Sequence, residues 1–144
     1  QIDREGNVNV SKLAGVTVGP GGFIDIAQNA RKVIFCGTFD TKGGEIKTGH
    51  GKLELIKPGK VCKFVESVDQ ITFSGKQALV QGQVVLYVTE RAVFSLSKGG
   101  LELVEIAPGV EMERDVIDQM EFKPLISESI GTMNPKFFVD EEHA

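Results

Sequence analysis

Gly19-Pro20-Gly21-Gly22-Phe23 is the stretch of this chain best suited to chemistry through its backbone. Three glycines in four positions, just ahead of a helical pattern, let the chain turn tightly or let another group approach the backbone closely. Unpaired amides at a helix start also form a ready anion site. Three chemical readings compete with a purely structural turn. A dinucleotide fingerprint, G-x-G-x-x-G, needs Gly where Ile24 stands. A phosphate-cradling P-loop needs G-K-[ST], and Phe23-Ile24 replaces it. An oxyanion hole needs only backbone N–H groups aimed at developing negative charge.

The side chains offer less. His50 and His143 are the only histidines, and Cys36 and Cys62 form no C-x-x-C, so no zinc spacing exists. Neither histidine accompanies a nucleophile-bearing motif, which leaves Ser-His-Asp and Cys-His catalysis unsupported. His50, between Gly49 and Gly51, reads as a loop residue. Cys36 and Cys62 lie in apolar runs and read as small core or strand residues of a reduced compartment. Glu90, in Thr89-Glu90-Arg91-Ala92, sits between two apolar runs and could pair with Arg91 or Lys76 or cap a turn. Glu111 to Asp118 and Glu141-Glu142 read as solvated faces. Lys42, Lys47, Lys52, Lys57, Lys60 and Lys63 are either a solvated surface or a stretch that meets an anionic ligand.

Several short elements must position these groups. Asn7 to Ser11 alternates polar and apolar residues and predicts a strand. Val16 to Gly22 is a Gly-rich turn. Phe23 to Ala30 then suits a short helix whose apolar stripe is Phe23, Ile24, Ile26, Ala27 and Ala30. Lys32 to Thr38 reads as a strand buried on both faces. Strand, glycine turn, short helix and buried strand make an α/β unit over residues 1–40. Residues 41–133 read as β-rich. Strands are predicted at 53–56, 62–65, 70–73, 84–89, 92–96 and 101–106, with a hairpin turn at Ser97-Lys98-Gly99-Gly100. One helix is predicted near 111–120, burying Val116, Ile117 and Met120. Residues 134–144 read as a tail.

Composition bounds the class. With 144 residues, 41% hydrophobic and 25% charged, the chain matches one soluble globular domain and not a disordered segment. No apolar run approaches the roughly 18 residues of a membrane helix, and the polar start Gln1-Ile2-Asp3-Arg4-Glu5 is no signal peptide. A cytoplasmic, non-membrane protein is expected. Residues 1–100 carry 13 Lys/Arg against 9 Asp/Glu, while residues 101–144 carry 3 against 11. Without a dominant basic patch, a nucleic-acid binder is not expected. The chain opens on Gln1 in mid-motif, so upstream sequence is expected.

Three segments together resemble the family I coenzyme A transferases. Asp3-x-x-Gly6-Asn7-Val8-Asn9-Val10-Ser11 is similar to a strand-turn segment of that family. Gly19-Pro20-Gly21-Gly22-Phe23-Ile24-Asp25 is similar to its G-x-G-G-F oxyanion-hole loop. Tyr87-Val88-Thr89-Glu90-Arg91-Ala92-Val93-Phe94 is similar to its late hairpin. The order and spacing match the C-terminal part of the β-type half, nearest the fused short-chain acyl-CoA:acetate or propionate transferases. The resemblance implies an α/β CoA-transferase-type domain. It implies acyl-CoA and a short-chain carboxylic acid as substrates, no permanently bound cofactor, and a dimer or tetramer. It implies ping-pong catalysis through a glutamyl-CoA thioester, with Gly21 and Gly22 as backbone oxyanion donors. Gly19, Pro20, Phe23 and Lys42 would lie near substrate or CoA. The family's nucleophile sits in an E-x-G motif, and no E-x-G tripeptide occurs here. The chain is therefore expected to lack the nucleophilic Glu, to need an upstream part or companion chain that carries it, and to be inactive alone. A non-catalytic β-rich binding module, or an acyl-CoA hydrolase of the same fold, is the alternative.

Overall fold

The structure is a computed structural model that describes residues 1–139. Glu141, Glu142 and His143 lie outside the described residues, as does the end of the expected tail. In chain order the principal elements are α1 (Phe23–Asn29), β1 (Lys32–Cys36), β2 (Glu45–Gly49), β3 (Lys52–Lys57) and α2 (Gly75–Val80). They continue with β4 (Val84–Val88), β5 (Ala92–Ser97), β6 (Gly100–Ile106) and β7 (Leu125–Thr132).

Five strands form one mixed sheet in the order β7-β6-β5-β4-β1. β4 runs parallel to β1, with Val84 opposite Lys32 and Val88 opposite Cys36. β4, β5 and β6 form an antiparallel meander, and β7 joins β6 in parallel. The inward residues Val85, Tyr87, Ala92, Phe94, Leu101 and Leu103 are buried, as their alternation requires. Phe64 packs tilted against Phe94, and Phe39 against Phe64, at 4.9 and 4.7 Å between ring centroids.

β2 and β3 form a separate hairpin. His50 (φ 52°) and Gly51 (φ 76°) close it, so His50 is the loop residue its glycine neighbours suggested. Lys47 stands opposite Glu54, and Lys57 opposite Glu45, so carboxylates compensate two of the hairpin's lysines across the strands.

Five features differ from the sequence expectations. Asn7–Ser11 is not a strand, and only Val8 bridges Ile2 and Phe73. Asn7, Val8, Asn9 and Ser11 are all buried: the Asn7 and Asn9 side chains close local turns, and the Ser11 hydroxyl bonds Thr72. β1 is not covered on both faces: it ends the sheet, and Ile34 is 51% exposed. The stripe of α1 is narrower than expected, with Phe23 half-buried and Ala27 buried but Ile24 and Ile26 exposed. The segment 70–73 is no strand; it leads into α2, which Ser74 caps by accepting a bond from the Gln77 amide at 3.2 Å. The segment near 111–120 is a π-helical turn over Met112–Val116 followed by a 3₁₀ turn over Ile117–Gln119. Val116 and Ile117 are buried there, as expected, and Met120 is half-buried. No helix among the described residues is long and apolar enough to cross a membrane.

Candidate active site

The glycine loop is exposed and conformationally special. Gly21 adopts φ +55°, a left-handed backbone that glycine takes without penalty. Gly22 stands at the N-cap of α1, and no side chain caps that helix. Within the protein the Phe23 amide donates to the Pro20 carbonyl at 3.1 Å and the Ile26 amide to the Gly22 carbonyl at 3.0 Å. The amides of Gly21 and Gly22 have no acceptor among the described residues. A methyl group added at Gly21 would meet nothing within 4 Å, and one at Gly22 only the tip of Ile26 at 3.6 Å. The two amides are thus open to an external acceptor.

Beside this loop lies a cleft of about 280 Å³. It opens where the parallel strands β1 and β4 end, between Cys36-Gly37-Thr38 and Val88-Thr89. Ligands of open α/β sheets gather at the carboxyl ends of such strands. Phe23 is the one glycine-loop residue that lines it; Gly19, Pro20, Gly21 and Gly22 do not. Phe23 leans on Phe35 at 5.9 Å, and Phe35 stacks on Tyr87 at 5.5 Å. Burial drives the Tyr87 phenol far above its usual pKa, so it stays protonated and donates to the Gly6 carbonyl at 2.5 Å. Cys36 is exposed at this rim, on the edge strand and outside the core. Cys62 is half-buried, and burial raises its thiol pKa.

Lys42 occupies a different place. It is exposed, with φ 63°, and lines a second depression of about 220 Å³ with Asp40, Gly44, Glu90 and Arg91. The two hollows share only Thr38. Behind Lys42 the Arg91 guanidinium is fully buried; it donates to Asp40 at 2.6 Å and lies 3.1 Å from Glu90. It also sits 4.8 Å over the Phe39 ring and donates to the Asp115 carbonyl at 3.4 Å. Glu90 pairs with Arg91, not Lys76, and its second oxygen accepts the Phe39 amide at 2.8 Å. This cluster fixes the loop after β1 against the β4–β5 turn.

Sequence reasoning missed Gly37, Thr38 and the particular place of Lys63 on the cleft wall. The available signal was that Gly37 and Thr38 immediately follow a strand run. Among the described residues, no group of three or more His, Cys, Asp or Glu side chains gathers as a metal site would require.

No protein-family model matches the chain. The acetate CoA-transferase YdiF of Escherichia coli (strain K12) is 46% identical over 140 residues, covering 97% of this chain and 26% of that protein. By sequence and fold the chain is similar to a segment of the family I CoA-transferases. The caffeate CoA-transferase of Acetobacterium woodii is 44% identical over 146 residues, or 98% of this chain and 28% of that one. The crystal structure of the acyl-CoA transferase YdiF from E. coli O157:H7, in a thioester complex with CoA, superposes with a TM-score of 0.93. That structure is 46% identical and covers 97% of this chain and 27% of its own. The segment thus spans about a quarter of the length of the relatives it matches. These transferase relatives favour neither the non-catalytic module nor the hydrolase alternative.

Proposed function

We propose that this chain is the oxyanion-supplying part of a short-chain acyl-CoA:carboxylate CoA-transferase of the acetate or propionate type. The reading rests first on 46% identity to an acetate CoA-transferase along 97% of the chain. The open amides at Gly21 and Gly22 support the site assignment.

The chemistry proceeds through covalent catalysis. A glutamate carboxylate attacks the thioester carbonyl, the C–S bond breaks, and CoA leaves as its thiolate. The thiolate then attacks the glutamyl carbonyl of the resulting anhydride. The free carboxylate departs and a glutamyl-CoA thioester remains. The second acid reverses these steps. Each addition places negative charge on a carbonyl oxygen, which fixed N–H donors stabilise more than the ground state. Gly21 and Gly22 supply those donors, and their lack of side chains lets the carbonyl come close. Phe23 and Phe35 support the turn from the cleft side. The nucleophilic Glu lies on sequence outside these 144 residues, so the chain alone is inactive.

Mass spectrometry of the acetyl-CoA-treated enzyme that carries this segment tests the reading. Peptide mapping should place an adduct of CoA less water outside this segment. An adduct on one of its own glutamates overturns the assignment. Gly22→Val should slow transfer about 10²–10³-fold, the scale of one lost oxyanion donor, because the new side chain keeps the carbonyl from the amide. The fold should survive, because the position is exposed and a Cβ there meets only the tip of Ile26 at 3.6 Å. Full activity in that variant excludes the loop as the oxyanion hole.

A further inference from the structure

The cleft at the ends of β1 and β4 has one charged side chain in its wall. Ile2, Val8, Val10, Phe23, Phe35 and Phe64 make it largely apolar, and Lys63 alone adds a formal side-chain charge. Lys63 is half-buried, and no carboxylate among the described residues pairs with it. Its Nζ donates to the Thr38 carbonyl at 2.9 Å and to Thr38 Oγ1 at 2.6 Å. An ammonium has three N–H donors, so one remains. The two bonds hold Nζ at the rim beside Gly37, where a Cβ would meet nothing within 4 Å. An apolar hollow with one fixed side-chain cation suits a small molecule that has an apolar body and an anionic end. At about 280 Å³ the hollow lies at the small end of ligand cavities, which run from about 300 to 1,000 Å³.

We propose that Lys63 is the carboxylate anchor of this cleft and that the cleft holds the short-chain acid. The inference rests on the transferase reading and adds the residue that tells a carboxylate from a neutral molecule of the same shape. Lys63 holds the carboxylate by a charge-assisted hydrogen bond, and Val10 and Phe35 line the apolar part of the hollow.

Binding of propionate and of its uncharged analogue propionamide to the intact enzyme tests this, measured by calorimetry beside an assay of CoA transfer. The wild type should bind propionate at least about tenfold more tightly than propionamide, the scale of one charge-assisted hydrogen bond. Lys63→Met should bind both equally, with propionamide affinity unchanged, and Lys63→Arg should recover most of the preference. A preference that survives in Lys63→Met overturns the anchor. So does an equal loss for both compounds, which would make Lys63 only a tie for Thr38. If the wild type prefers propionate but transfers no CoA, the transferase reading fails while the carboxylate site stands.

Discussion

Asp3–Ser11 and Gly19–Phe23 both contain glycine turns and both resemble segments of one transferase family, yet the first is closed and the second open. In the closed stretch Asp3 accepts the amides of Glu5 and Asn7 and the Asn7 side chain. Asn7 in turn accepts the Gly75 amide at the start of α2, and Ser11 bonds Thr72 at 2.7 Å. These residues are nearly all buried, and their polar groups are satisfied inside the protein. In the open stretch the Gly21 and Gly22 amides find no acceptor among the described residues, and both glycines are exposed. Two motifs can therefore look equally family-like while one builds the scaffold and the other is left available for a ligand. The distinction lies in hydrogen-bond closure, which sequence spacing does not display.

The same substitution in each stretch gives the sharpest test. A Cβ at Gly6 would lie 2.5 Å from Leu96 Cδ1 and 2.7 Å from the Tyr87 hydroxyl, at φ +75°. Overpacking and the left-handed backbone together predict that Gly6→Ala costs about 4 kcal/mol. Gly21→Ala carries only the backbone penalty, about 1 kcal/mol, since the space around it is empty. Urea midpoints of the two variants should differ accordingly. Equal losses would erase the contrast between a packed turn and an open one.

Arg91→Met probes the closed side at a second place and should fall between those two. It strands Asp40 and Glu90, whose side chains are 11% and 19% exposed, without their buried cation. Breaking such a pair predicts a loss of about 3 kcal/mol. Thermal melting checks it, and a change under 1 kcal/mol would show that Arg91 is not the tie of the loop after β1.

The elements were readable in proportion to how local their causes are. β4, β5, β6 and the turn at Ser97–Gly100 follow from apolar runs and glycines, and they stand where those signals fall. α2 was missed because six residues starting at Gly75 carry little helical pattern, although Ser74 is a proper cap. The Asn7–Ser11 alternation misled because the Asn7 and Asn9 side chains fold the chain into local turns, so the stretch pairs with other segments only at Val8. The glycine loop was legible as a candidate site. The cleft was not, because Phe23, Gly37 and Thr89 meet there through the parallel pairing of β1 with β4, and Gln1 and Lys63 join them through the parallel pairing of Ile2–Asp3 with Phe64–Val65.

The turn at 111–119 gives the last and smallest test of the closed region. Sequence periodicity suggested an α-helix there, and the backbone opens to a π-helical turn instead. Asp115 is bound at that turn: it accepts the Glu111 amide at 2.9 Å and the Arg114 guanidinium at 2.7 Å, while its own carbonyl takes a bond from Arg91. The Arg114 hydrogen bond foremost holds the Asp115 carboxyl below its ordinary pKa, although burial opposes it. A lowered carboxylate pKa contributes stability that is fully present above the unfolded value, near about 3.9, and is lost as pH falls through the folded one. Asp115→Asn should therefore be less stable than wild type at pH 6, and the gap should narrow below about pH 4. Urea midpoints at pH 6 and pH 3 measure it. A gap that stays constant would mean that the amide replaces the carboxylate's role at every pH, and that the closed region is held there by shape and neutral hydrogen bonds instead of charge.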